Sequence, residues 1–215
     1  MGRYNLVVFD LDGTILDTTE GVLSAVKYTI QEMGYIMPED NVLKTFIGPP
    51  IQDSFAKTFG LSGDILQKIA GIFRRRYKDS DLLKAKPYEG IYEVFRKLSA
   101  QSIISAVATY KREDYAIDLL KAYHFDMYTQ IMHGADHENK LKKQDIIRKC
   151  ISEACIDDYR SVVMIGDTIH DADGASELGI DFIGVTYGFG LKKDNLSQVV
   201  SIGFADTPIG LLNFI

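Results

Sequence analysis

The chain predicts an α/β fold, a parallel sheet with crossover helices that is interrupted once by an all-helical insert. Three observations predict it. Short runs rich in β-branched residues alternate with amphipathic stretches, as strands alternate with helices in parallel sheets. The connection from the first such run to the second is far longer than one crossover needs, and carries helical periodicity with no comparable strand signal. Finally, 215 residues give room for one medium domain plus an insert.

Tyr4 to Phe9 (YNLVVF) reads as the first buried strand, placed at residues 4–10. It closes in Asp10-Leu11-Asp12-Gly13-Thr14. Residues i and i+2 of a strand face one side, so Asp10 and Asp12 are expected to point into one crevice. Open α/β sheets bind ligands beyond the carboxyl ends of their strands. Two like charges there need a cation, or one must hold a proton. The plain alternative is an Asp-Gly turn without chemistry.

Residues 16–84 form the expected insert. Val22, Val26, Ile30 and Met33 recur at helical spacing within Thr18 to Met33. Further helices fit residues 39–45, 51–59 and 62–78, punctuated by Gly34, Pro38, Gly48-Pro49-Pro50 and Gly60. The main domain is therefore residues 1–15 and 85–215. After a helix at 88–100, Ile103 to Ala108 (IISAVA) reads as a strand ending in Thr109-Tyr110-Lys111. A helix at 112–122 and a strand at 128–132 follow. Lys140 to Asp145 (KLKKQD) opens a helix at 142–155. Ser161 to Ile165 (SVVMI) is the next strand and ends in Gly166-Asp167-Thr168-Ile169-His170-Asp171. A helix at 171–178, a strand at 181–185 and a short helix near 207–214 complete the pattern.

Composition sets limits. The net charge is −6, which disfavours nucleic acid as a partner. Residues 16–84 carry nine basic and nine acidic side chains, so the whole excess of acid lies in the main domain. No apolar stretch approaches the ~18 residues of a membrane helix. The N-terminus lacks the pattern of a signal peptide. Cys150 and Cys155 lie five apart on one expected helix, a rise of roughly 7.5 Å, too far for an easy bridge. Unpaired thiols point to the cytoplasm, and both read as small apolar residues near a buried helix face.

The order strand-DxDGT, strand-Thr, Lys, strand-GDxxxD resembles the haloacid dehalogenase superfamily of phosphohydrolases, from Tyr4 to about Phe189. That resemblance implies a Rossmann-like core and a helical cap over the active site. It implies Asp10 as nucleophile, forming an aspartyl phosphate, and Asp12 as general acid and base. Asp at the second position favours phosphate-ester hydrolysis or a mutase, because dehalogenase and phosphonate-cleaving relatives generally lack it. Thr109 would bond a phosphoryl oxygen, with a helix N-cap as its plainer role. Tyr110 departs from the frequent Ser or Asn of the family, but its backbone N–H can still serve the substrate. Lys111 reads as a surface or rim cation.

Lys143-Gln144-Asp145-Ile146-Ile147 fits the family's Lys-x-Asp helix start and makes Lys143 the expected catalytic lysine, with Lys140 as the alternative and Lys142 solvated. The implied cofactor is Mg²⁺, held by Asp10, the Asp12 carbonyl and Asp167, with Asp171 acting through water or by orienting Lys143. Asp173 is read as a helix-start residue. His170 lacks a zinc spacing, and His133 with His137 reads as a surface loop rather than a metal clamp.

Substrate choice is expected from the cap, through Gly48, Pro49 and Arg74. Most runs like Arg74-Arg75-Arg76 are solvated faces. Phe73-Arg74 with Tyr77, Ile47-Gly48-Pro49-Pro50 and Pro87-Tyr88-x-Gly90-Ile91 resemble phosphoglycolate-phosphatase-like members, a group that includes 5′-nucleotidases. The expected partner is a small phosphorylated metabolite, with no nucleic acid or membrane, and the protein a monomer or weak homodimer. A β-phosphoglucomutase-like phosphotransferase and a non-catalytic regulatory module are the alternatives.

Overall fold

The structure, a computed structural model, describes residues 3–136, 140–192 and 194–215. The chain divides into two compact units, Thr18–Lys86 and the remainder. The expected boundaries fell two residues earlier, at 16 and 84.

The Thr18–Lys86 unit is built from α1 (Thr19–Glu32), α2 (Asp40–Leu43), α3 (Ile51–Phe59) and α4 (Asp64–Arg76). Val26 and Ile30 of α1 meet Leu43, Phe46, Phe55 and Ile69 in one buried cluster, with Val22 and Met33 packed at its margin. The periodicity of the first helix is thus its buried stripe. Gly60 ends α3 in the left-handed conformation, at φ 66°. Beyond α4 the helix widens into a π turn over Tyr77–Asp81. There Asp81 is fully buried, and accepts from Arg76 Nε at 2.8 Å and Ser24 Oγ at 2.9 Å, with Lys84 Nζ at 2.7 Å. The arginine run therefore divides: Arg75 is exposed, while Arg76 pairs with Asp81 and lies over the Tyr28 ring.

Among the described residues, the second unit holds a parallel sheet of six strands. They are β1 (Leu6–Phe9), β2 (Ile104–Arg112), β3 (Ile131–Ala135), β4 (Val162–Gly166), β5 (Asp181–Val185) and β6 (Gly203–Ala205), in the order β3-β2-β1-β4-β5-β6. Helices α5 (Ile91–Ala100), α6 (Glu113–Ala122), α7 (Lys143–Glu153) and α8 (Ile169–Leu178) cover its faces. Leu6 and Val8 pack with Ile146, Ile147 and Cys150 of α7. On the other face Phe9 stacks on Phe95 of α5, at 4.7 Å between ring centres. Burial on both faces explains why the strands read as continuous apolar runs.

Some sequence expectations need correction. Strand β6 was not foreseen. Residues 128–132 lie largely outside β3, because Phe125–Met127 forms a 3-10 turn and the ladder begins at Ile131. Cys155 is exposed and lies past the end of α7, at φ 55°, so only Cys150 behaves as a buried apolar residue. Among the described residues, no helix is long and apolar enough to cross a membrane.

Candidate active site

Register assembles the site. Phe9 of β1 pairs with Val107 of β2 and Ile165 of β4, so Asp10, Thr109 and Asp167 leave the sheet at the same edge. This is the carboxyl edge, where parallel sheets place their ligands. The Asp10 N–H still donates to Ile165 O at 2.8 Å. The ladder stops there, so the pleat does not place Asp12. The Leu11 carbonyl instead accepts from the N–H groups of Thr14, Ile15 and Leu16 and curls the chain into a tight loop. Asp10 and Asp12 engage different lysines, Lys143 and Lys111.

Asp10, Asp167 and Asp171 are all buried, and one oxygen of each lies within 4.8 Å of the others. Lys143, only 2% exposed, reaches between two of them. Its Nζ donates to Asp10 Oδ1 at 2.6 Å and lies 2.6 Å from Asp171 Oδ1, the latter outside hydrogen-bond direction. Asp171 also closes a capping box at the start of α8, its Oδ2 accepting from the Thr168 N–H at 3.0 Å and hydroxyl at 2.7 Å. Asp167 Oδ2 accepts from the backbone N–H groups of Phe189 at 2.6 Å and Gly190 at 3.1 Å. Glycines make the room: a Cβ on Gly13, where φ is +84°, would lie 2.3 Å from Asp167 Oδ2, and one on Gly166 would lie 2.3 Å from Asp171 Cγ.

Electrostatics follows from this crowding. Burial, reinforced by the charges of Asp171 and Asp167, raises the Asp10 carboxyl well above its ordinary range, and Lys143 pulls it back. Burial with the Asp171 charge pushes Asp167 up to about 7, against the two N–H bonds it accepts. Burial works against the Lys143 ammonium, but Asp10 and Asp171 outweigh it and hold the proton on. Three carboxylates facing one ammonium leave a deficit of positive charge, and Asp167 Oδ1 is buried without a hydrogen-bond partner. An all-oxygen, carboxylate-rich donor set of this kind fits a small hard dication such as Mg²⁺.

The remaining candidates fall as follows. Thr109 is buried within β2, and its hydroxyl oxygen accepts from the Lys111 N–H at 3.1 Å, so the hydroxyl proton is the part it can offer. Arg112, not Thr109, is the N-cap of α6, which removes the plainer role. The Tyr110 hydroxyl accepts from the Lys143 N–H at 2.9 Å, and its ring stands edge-on to His170. Lys111 is no rim cation: its side chain is 8% exposed and its Nζ lies 3.1 Å from Asp12 Oδ2. Lys140 and Lys142 are exposed, as is Asp173. His133 lies in β3 rather than a loop, with Nε2 at 2.7 Å from Glu153 Oε2; His137 lies outside the described residues. Gly48, Pro49 and Arg74 belong to the helical unit, the first two in the loop before α3 and Arg74 on α4.

Sequence reasoning missed the Gly188-Phe189-Gly190 loop that holds Asp167. Its signal was a glycine-rich turn directly after a strand, the pattern by which a backbone approaches a site closely.

Comparison with known proteins agrees with this geometry. The haloacid dehalogenase-like hydrolase family matches residues 7–185, and the chain belongs to that family. It is 32% identical over 194 residues to a 5′-nucleotidase of Pseudomonas aeruginosa, covering 89% of this chain and 87% of that protein. To a phosphoglycolate phosphatase of Nitrosospira multiformis it is 26% identical over 87% of this chain and 86% of that one. A solved haloacid dehalogenase-like hydrolase from Streptococcus pneumoniae superposes with a TM-score of 0.91 at 29% identity, covering 100% of this chain and 99% of the other. The fold is that of the family, and its hydrolases include phosphoglycolate-phosphatase-like members among this chain's relatives.

Proposed function

We propose that this chain is a Mg²⁺-dependent phosphatase that hydrolyses a small phosphate monoester through an aspartyl phosphate on Asp10. The observation that carries the reading is the buried trio Asp10, Asp167 and Asp171 with Lys143 wedged between two of them. The names of two relatives, a 5′-nucleotidase and a phosphoglycolate phosphatase, support the reaction class.

Lys143 occupies Asp10 Oδ1, which leaves Oδ2 to attack phosphorus as the bond to the leaving oxygen breaks. Asp12 gives that oxygen its proton, then takes one back from the water that attacks the phosphorus and restores Asp10. Thr109 donates its hydroxyl proton to a phosphoryl oxygen, and Lys143 neutralises another as charge accumulates. Asp10, the Asp12 carbonyl and Asp167 would hold the cation, with Asp171 beside them. When bound, the cation neutralises the carboxylates and polarises the phosphoryl group.

The site reads the phosphoryl group and not the rest of the ester, so the substrate is proposed from the relatives: a small phosphorylated metabolite in the cytoplasm. A nucleoside monophosphate is the second reading, favoured by the 32% identity to a 5′-nucleotidase. A phosphate-release screen over phosphoglycolate, nucleoside monophosphates and sugar phosphates tests it. Turnover with Mg²⁺ that vanishes in chelator is expected, while full turnover in excess chelator overturns the metal-dependent reading. Rearrangement of a sugar phosphate without release would favour a mutase.

A further inference from the structure

Strand β2 does not run straight to its end. Ala108 pairs with His133 of β3 and Arg112 pairs with Ala135, so four steps on β2 oppose two on its neighbour. The surplus makes a bulge of Thr109, Tyr110 and Lys111. Bulges re-aim side chains, and they concentrate beside active sites. This one is fixed on both sides. The Lys111 N–H donates to Thr109 Oγ1 at 3.1 Å, and the Lys111 carbonyl sits so near Gly134 that a Cβ there would lie 2.5 Å from it.

The lysine stem is therefore launched from a rigid backbone. Its ammonium, on a side chain 8% exposed, lies 3.1 Å from Asp12 Oδ2. The other oxygen of the same carboxylate, Oδ1, is buried and has no hydrogen-bond partner. One oxygen is tied to the lysine, and the other has no partner among the described residues.

We propose that Lys111 is a positioning residue for proton transfer: by tying Asp12 Oδ2 it fixes the carboxyl so that Oδ1 faces the departing and attacking oxygens. The inference rests on the reading of Asp12 as general acid and base. In the first half-reaction the proton moves from Oδ1 to the leaving-group oxygen as its bond to phosphorus breaks. In the second, water gives a proton to Oδ1 as its oxygen bonds to phosphorus and the bond from phosphorus to the Asp10 oxygen breaks, returning the Asp10 carboxylate. Without the tie, Asp12 rotates among staggered positions and is correctly placed for a fraction of the time.

The test compares leaving groups that need a proton with one that does not. Single-turnover release of the leaving group is measured with glycerol phosphate and with p-nitrophenyl phosphate, for wild type, Asp12→Asn, Lys111→Gln and Lys111→Arg. Asp12→Asn is expected to slow alcohol release by about 10²–10⁴-fold while leaving nitrophenolate release within about tenfold. Lys111→Gln should show the same selective loss at smaller size, about 10–100-fold on glycerol phosphate, and Lys111→Arg should recover most of it by restoring the cation. If glutamine unfolds the protein, Lys111→Met, which keeps the buried stem, is read in the same way. Equal losses on both substrates in the Lys111 variants, beside a selective loss in Asp12→Asn, overturn the role of Lys111 alone. No selectivity in Asp12→Asn overturns the reading of Asp12, and this inference with it.

Discussion

Asp167 is a side chain held against its own stability. It is fully buried, burial and the Asp171 charge push its carboxyl up to about 7, and the Phe189 and Gly190 N–H groups, with the Lys143 charge, favour its ionised form. A carboxyl whose folded value is raised binds its proton more tightly folded than unfolded. Metal-free protein should thus lose stability as pH rises from about 4 through about 7. Asp167→Asn removes that charge and keeps an acceptor for both N–H groups. In chelator at pH 8 the variant should be more stable than wild type by on the order of 1–3 kcal/mol, read as a higher melting temperature, and the gain should shrink by pH 5 while phosphatase activity is lost. A gain of equal size at both pH values would contradict the account. The aspartates were legible in the sequence because DxDGT and GDxxxD each close an apolar run, in the motif order of a known family. Lys111 was not, because its burial depends on a bulge that no periodicity announces.

At the scale of the element, the π turn after α4 rests on Asp81. Burial alone would raise its carboxyl, but the bonds from Lys84, Arg76 and Ser24 outweigh it and hold the value below the ordinary range. The backbone there is tight as well: a Cβ on Gly21 of α1 would lie 2.3 Å from the Asp81 carbonyl. Asp81→Ala should destabilise the protein by about 1–3 kcal/mol, since both cations are part-exposed and can turn to water. A lowered carboxyl contributes stability above its unfolded value, near pH 4, that fades as pH falls through the folded one. The melting gap between wild type and variant should narrow from pH 7 to pH 3; a constant gap would contradict this role. Helices with an apolar stripe, such as α1 and α4, could be read from sequence to within a few residues. The three-residue β6 could not, because Gly203-Phe204-Ala205 is too short to show a period and forms only against β5.

At the scale of the molecule, the four chemical motifs lie in the sheet-bearing unit, and the helical unit carries none of them. That division was readable from sequence, since the insert breaks the strand–helix alternation and carries no net charge while the rest is acidic. What the insert does with a substrate was not, because selectivity depends on side-chain placement and not on pattern. We propose that it sets substrate preference. Arg74→Ala or changes at Gly48-Pro49 should then alter relative kcat/KM across a panel of esters by about tenfold or more. The same loss on every substrate would contradict selection by these residues.

On the proposed mechanism, phosphorus passes through Asp10. Single-turnover mixing with substrate and Mg²⁺, followed by acid quench and peptide mass analysis, tests it most directly. One phosphoryl group on the peptide containing Asp10, absent from Asp10→Asn, is the predicted result. Turnover by Asp10→Asn within tenfold of wild type, or a phosphoryl group found on another residue, would contradict it.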